Sequence, residues 1–294
     1  MSRITLFAVI AVASVFCFAS ACNPLSEADD VTIPTIEPKL VLNAYLIPQN
    51  DVQKIFVATS LPLNYDLTDY YKSLSGYTEV WRLSERGVIP NATVHFTDLD
   101  NNVTITPTFD KKMLTYNFAK TDMAIREGGQ YEVSVEYKDY PSIRERFVVP
   151  ECTKPEVDCA DEGVATLVRI HAEKEPARYF YIHMLLRPKE AQDPPTYLQE
   201  FTYFVSSATS INGAITVRRR TVSVFDQLFN ESRYELYSVH LFELDERTYL
   251  YFTALERNMQ VQNNPFAMPS LLRNYVENGF GIAAGVIDHG EILP

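Results

Sequence analysis

The stretch Gln130-Tyr131-Glu132-Val133-Ser134-Val135-Glu136-Tyr137 decides the fold. Tyr131, Val133, Val135 and Tyr137 alternate with polar residues, so they project from one side of a strand and bury that face. Working outward, residues 143–149 and 114–118 are further short β-rich segments separated by turn composition. Residues 92–97 and 103–108 flank Asp98-Leu99-Asp100-Asn101-Asn102, a hairpin with Asn available where φ must be positive. Residues 39–47 and 52–60 are joined by Pro48-Gln49-Asn50-Asp51 and read as another hairpin. Seven such strands over about 110 residues predict an immunoglobulin-like or transthyretin-like β-sandwich across residues 38–150.

Downstream the chain stays mainly β. A proline-containing stretch, Pro150-Glu151-Cys152-Thr153-Lys154-Pro155-Glu156-Val157-Asp158-Cys159, marks a boundary. Strands are predicted at 165–171, 179–186, 201–206, 214–225 and 236–242, with a loop at 189–198 containing Pro194-Pro195. Over 245–260 the period changes: Tyr249, Phe252, Leu255 or Glu256, and Met259 fall three or four apart, and Asp245 can cap the start. One amphipathic helix is expected there, its aromatic stripe packed on the second sheet. Residues 279–287, Gly-Phe-Gly-Ile-Ala-Ala-Gly-Val-Ile, predict a last strand whose glycines permit bulges or close packing. Residues 151–294 are thus expected to form a second β-rich domain, since removal of 21 N-terminal residues leaves about 270, too many for one small sandwich.

The N-terminus reads as an export signal over residues 1–21. Arg3 precedes an apolar run from Ile4 to Ala19. As a helix those sixteen residues span about 24 Å, short of the ~30 Å hydrocarbon core, so a permanent membrane span is the weaker reading. Ala19-Ser20-Ala21 fits ordinary signal peptidase, and with Cys22 it also fits a lipobox. The lipobox is favoured because a cysteine just after the cut has a chemical use: it takes acyl chains, and several anchor far more firmly than one. Residues 22–37 are then an acidic, flexible tether.

Four cysteines are present. Cys17 leaves with the signal and Cys22 is acylated, so Cys152 and Cys159 remain and read as a disulfide in an oxidising compartment. A metal site would need more ligands close in sequence. The net charge is −12, and loss of Arg3 takes the mature chain to −13. That excludes a nucleic-acid partner, which needs a basic face. The run Arg218-Arg219-Arg220 lies in an alternating segment and reads as a solvated strand.

Catalytic signatures are missing: there is no Gly-x-Ser-x-Gly, no His-Glu-x-x-His, no phosphate-cradling glycine loop and no cofactor motif. His95, His171 and His183 sit inside predicted strands and read as hydrogen-bonded structural imidazoles. Acidic pairs such as Glu235 with Glu243, or Asp245 with Glu246, are inevitable among 38 acidic residues and decide nothing. Asp98-x-Asp100-Asn101-Asn102 lacks the glycine and distal Glu of a calcium loop and reads as a turn. Sequons at Asn91, Asn102 and Asn230 matter only in a eukaryotic secretory route. Residues 64–90 carry Tyr65, Tyr70, Tyr71, Tyr77 and Trp81 without a clean period. Two readings stand: a satellite core, or a contact surface for a protein partner ahead of a sugar.

Several segments in order carry a resemblance. They are the lipobox, Lys39-Leu40-Val41-Leu42-Asn43, Asn91-Ala92-Thr93-Val94, Gly129-Gln130-Tyr131-Glu132-Val133-Ser134-Val135, Asn264-Pro265-Phe266 and Asn278-Gly279-Phe280-Gly281-Ile282. Together they resemble a Bacteroidota lipoprotein family, the domain of unknown function numbered forty-two forty-nine, from about Glu37 to the C-terminus. Asn43 and Asn91 stand where the family often has Gly, and Ala283-Ala284 where an aromatic and a Gly are common. The resemblance implies an outer-membrane lipoprotein often encoded beside TonB-dependent receptors, and it supplies no catalytic residues. Ser26-Glu27-Ala28-Asp29-Asp30 is similar to the export tag of surface lipoproteins in that group. The expected function is therefore a non-enzymatic, surface-exposed accessory or ligand-capturing partner of a TonB-dependent transporter. The alternative is an autonomous carbohydrate- or peptide-binding lipoprotein.

Overall fold

The computed structural model describes residues 37–60, 87–161, 165–173, 175–189, 198–220, 234–262 and 273–293. Every described residue from Pro38 onward belongs to one compact unit. The signal, the acidic tether with Cys22, and the aromatic residues Tyr65, Tyr70, Tyr71, Tyr77 and Trp81 lie outside the described residues.

Fifteen strands, one α-helix and a short 3-10 turn at Ser207–Thr209 are described. The first eight are β1 (Leu40–Leu46), β2 (Val52–Thr59), β3 (Thr93–Asp98), β4 (Val103–Ile105), β5 (Thr108–Asp110), β6 (Thr115–Ala119), β7 (Gln130–Glu136) and β8 (Ile143–Val148). The rest are β9 (Glu156–Asp161), β10 (Ala165–His171), β11 (Tyr179–Pro188), β12 (Gln199–Ser206), β13 (Ala214–Arg220), β14 (Tyr234–Leu244) and β15 (Phe280–Ile292), with α1 (Glu246–Gln262) before β15. The predicted strand over 103–108 divides at Pro107, whose missing N–H ends the ladder. There the chain changes sheets: β4 pairs with β3, and β5 pairs with β6.

Two β-sandwiches result. The first packs β4-β3-β7-β8 against β15-β1-β2-β6-β5, and the second packs β13-β10-β9 against β12-β11-β14. Tyr131 is fully buried in the first core, stacked on Phe96 at 5.3 Å, while Phe96 stacks on Phe118 at 4.7 Å. Its hydroxyl accepts from the Arg126 N–H at 2.8 Å, so the ring is buried with its polar end satisfied. The alternation read from the sequence is the alternation of that core: Tyr131, Val133 and Val135 are all inside. Phe180, Ile182, Met184 and Leu186 form the matching stripe of the second core. The mainly β, sandwich architecture with one helix stands as expected. The expected division at residue 150 does not coincide with the two cores: the first also takes Val276, Ala283 and Ile287 from the far end of the chain, and a single eight-stranded sheet, β12-β11-β14-β15-β1-β2-β6-β5, runs through both.

The shared strand is β15. Its first half pairs parallel with β1, from Val41 opposite Phe280 to Leu46 opposite Gly285. Its second half pairs antiparallel with β14, from Leu244 opposite Val286 to Val239 opposite Ile292. Residues 281–287 are buried on both faces, which is why this strand reads as a continuous apolar run rather than an alternation. Ala283 and Ile287 face the first core; Ile282 and Ala284 face Tyr251 and Phe252 of α1. Asp245 caps that helix, its carboxylate accepting from the Thr248 N–H at 2.7 Å, as expected. Gly281 has φ +107°, and a Cβ built on it would lie 2.0 Å from the Leu42 carbonyl oxygen. Only glycine satisfies both conditions.

Gly281→Ala should therefore weaken folding by roughly 2–4 kcal/mol, combining backbone strain with overpacking. Gly290 also has positive φ but open space around it, so Gly290→Ala should lose only the strain, about 1–2 kcal/mol. Urea midpoints of the two variants measure the difference; equal losses would remove the close approach from the account.

Candidate functional site

A cleft of about 1370 Å³ opens where the segment after β8, the β10–β11 connection and the β14–α1 junction meet. Glu243, near the end of β14, lies at its base with a side chain only 4% exposed. Arg178, just before β11, grips one edge of that carboxylate: Nε donates to Oε1 at 2.7 Å and Nη2 to Oε2 at 2.6 Å. This planar, two-point grip is what a guanidinium offers and an ammonium does not. Nη2 also donates to the Thr153 carbonyl at 2.7 Å, tying the inter-core segment to the pair. On Oε2, His289 Nε2 of β15 lies at 2.8 Å. The Cys152 thiol completes the group, with its sulfur and the Glu243 and His289 donor atoms all within 4.8 Å of one another.

The electrostatics follow from burial and pairing. Burial pushes the Glu243 carboxyl up, but bonds from Arg178, His289 and Cys152 overcome it and hold the group at about 2. Burial pushes the Cys152 thiol up to about 12, and its bond to the Glu243 carboxylate adds to this. At neutral pH Cys152 is a thiol rather than a nucleophilic thiolate. Toward solvent the cleft is acidic: Glu127, Glu151, Glu156, Glu173, Asp245 and Glu246 line it beside Lys154. A concave surface of one sign focuses its field and concentrates ions of the other.

A second concavity, about 300 Å³, lies on the helix-covered side of the long sheet. Tyr45 of β1, Tyr181 of β11, Phe204 of β12, Phe242 of β14 and Phe252 of α1 wall it. The rings form a chain: Tyr45 to Phe252 at 5.2 Å, Phe252 to Phe204 at 5.5 Å, Phe204 to Tyr181 at 5.1 Å and Tyr181 to Phe242 at 5.7 Å. All five are half-buried, so ring faces remain available to a ligand.

Of the residues predicted from sequence, Cys152 and Cys159 need correction. Both thiols are free. The expected cysteine loop instead enters β9, where Cys159 pairs with Val168 and packs against the second core while Cys152 packs against the first. An extended segment carries the two sulfurs into different cores, against the short Cα separation a disulfide needs. The strand histidines are hydrogen-bonded, His171 to Asp158 at 2.8 Å and His183 to Glu200 at 2.7 Å, with His95 near Thr106 at 3.5 Å. Asp98 closes its turn, accepting from the Asp100 and Asn101 N–H groups and from Arg126, and Asn102 takes φ +53°. Arg219 lies 3.8 Å over the Phe201 ring. Sequence reasoning missed His289 and Arg178, because no local pattern marks residues that converge on Glu243 from 46 and 65 positions away.

Removing Arg178 leaves a buried, unpaired carboxylate. Arg178→Met should lower stability by about 3–5 kcal/mol in chemical unfolding. The depressed Glu243 carboxyl contributes stability that is fully present above its ordinary 4.5 and lost as pH falls toward about 2. The loss amounts to roughly 3 kcal/mol, and Glu243→Gln should flatten that part of the stability–pH curve. An unchanged acid limb in Glu243→Gln would contradict the assignment.

The family model described as Domain of unknown function (DUF4249) matches residues 28–288. No curated protein matches the chain. Among solved structures it is similar to the FN1–FN3 domains of chicken CNTN1, with 12% identity and a TM-score of 0.31. That match covers 71% of this chain and 60% of the other, so it spans less than two thirds of the CNTN1 structure. It is also similar to a chain of a cytokine receptor complex, with 6% identity, a TM-score of 0.25, and coverage of 70% and 89%. Through the family match across nearly its whole length, the chain belongs to the DUF4249 family.

Proposed function

We propose that this protein is a non-enzymatic lipoprotein of the outer membrane, held by acyl chains on Cys22 and facing the cell exterior. It captures ligand for a TonB-dependent transporter, or docks on one. The observation that carries the capture role is the aromatic recess. Its volume of about 300 Å³ lies at the lower end of small-ligand sites, which run to about 1,000 Å³. Half-exposed ring faces favour flat apolar groups or the CH face of a sugar. The thiol state of Cys152 supports binding over catalysis, since the cleft offers no activated nucleophile among the described residues. The lipobox and the acidic Ser26-Glu27-Ala28-Asp29-Asp30 support the anchor and the outward face.

The recess equally favours a second reading, an autonomous carbohydrate- or peptide-binding lipoprotein. Co-purification separates the two. The native protein drawn from solubilised outer membranes should bring a β-barrel receptor with it, whereas recovery alone, with other receptor complexes intact, favours the autonomous binder. Under either reading Tyr181→Ala should weaken binding of a hit from a glycan or peptide array about tenfold. Undiminished binding in that variant would remove the recess from the proposal.

A further inference from the structure

We propose that Cys152, Glu243 and His289 form a binding site for one Zn²⁺ ion at the base of the acidic cleft. Three donors of different type, a sulfur, a nitrogen and a carboxylate oxygen, converge there from the inter-core segment, β14 and β15, within 4.8 Å of one another. Zinc is the metal this set suits: it is borderline-soft, accepts mixed sulfur, nitrogen and oxygen ligands, and takes them at about 2.0–2.3 Å in a tetrahedron. Small inward movements bring the donors to those distances.

Arg178 does not block the ion. It donates to both Glu243 oxygens, with Nη2 on the same Oε2 that His289 Nε2 approaches, and it also hydrogen-bonds the Cys152 thiol; Oε2 keeps its second lone pair for the ion. The zinc takes the place of the hydrogens that the Glu243 carboxylate now shares with His289 Nε2 and the Cys152 thiol. Arg178 then orients the ligating carboxylate through its two bonds, as outer partners of metal ligands commonly do. The balance is simple. The thiol releases its proton to solvent and a Zn–S bond forms. The imidazole gives up the Nε2 proton it shares with Glu243, carries a single proton on Nδ1 after exchange through solvent, and offers the Nε2 lone pair. Thiolate, carboxylate and Zn²⁺ sum to zero, leaving one guanidinium charge facing six acidic residues.

The second observation is that lining itself. Glu127, Glu151, Glu156, Glu173, Asp245 and Glu246 line the cleft that leads to the donors and outnumber its Lys154 and Arg178, a negative lining that draws in a dication and repels anions. A site meant only to bury an ion pair needs no such approach.

The test is cobalt titration of the full chain in detergent after removal of metal by a chelator. One equivalent of Co²⁺ should give tetrahedral visible bands and a thiolate-to-cobalt charge-transfer band, and Zn²⁺ should displace both. Cys152→Ser should abolish the charge-transfer band and weaken binding roughly 10–100-fold, while Cys159→Ser leaves both unchanged. His289→Gln should keep the charge-transfer band with similarly weakened affinity. Because Cys152 and His289 are packed, melting curves of each variant accompany the titration, and the wild-type spectrum decides the matter if a variant unfolds. No uptake, an octahedral spectrum without sulfur ligation, or a wild-type spectrum from Cys152→Ser would overturn the site.

Discussion

The parallel pairing of β15 with β1 is the constraint on which the rest of the fold depends. It joins residues near opposite ends of the described chain, and a glycine at position 281 permits it because the Leu42 carbonyl occupies the place of a side chain. A parallel partner cannot be supplied by a tight turn, so everything between β1 and β15 is a crossover held at both ends. The consequence is two sandwiches with separate cores and one common sheet. The helix α1 covers the common strand on the outside with Tyr251 and Phe252, and the aromatic recess lies beside that cover. On another flank, where the inter-core segment leaves the first sandwich, the acidic cleft opens.

Two ion pairs with buried carboxylates brace this junction, each linking elements from different parts of the chain. Arg178 and Glu243 hold β11 to β14 and reach the inter-core segment through Thr153. Arg247 of α1 reaches back to Glu145 of β8, donates to the Arg146 carbonyl at 3.1 Å and lies 4.9 Å over the Tyr275 ring. Burial pushes the Glu145 carboxyl up to about 7 even though Arg247 pulls it down. Pairs of this kind contribute little net stability compared with apolar replacements, but losing the arginine leaves a buried carboxylate unpaired, which is severe. Their role here is registry: they fix which face of α1 and which end of β14 meet the first sandwich.

Much of this was legible in the sequence because alternation is a local signal. Tyr131, Val133 and Val135 predicted their strand and their core, and the first residue of β10 or β13 is the one the pattern names. Asp245 announced α1. What stayed hidden is non-local. Nothing in Leu40–Leu46 names β15 as its partner. Strand β9 was masked by prolines, charges and two cysteines whose number suggested a bridge. Glu243 was noticed only as one acid among many, and it gains meaning from Arg178, His289 and Cys152, which fold brings together and sequence does not. Pro107 was the one local cue to a sheet change that lay in plain view.

Native-state hydrogen exchange on the full chain tests the central claim, that a shared strand makes the two sandwiches one cooperative body. The account predicts that core amides of β1, β7, β11 and β14 open with one common free energy, lowered together by Gly281→Ala. Two distinct opening energies, one for residues 40–148 and another for 165–244, with only the first responding to that substitution, would contradict it.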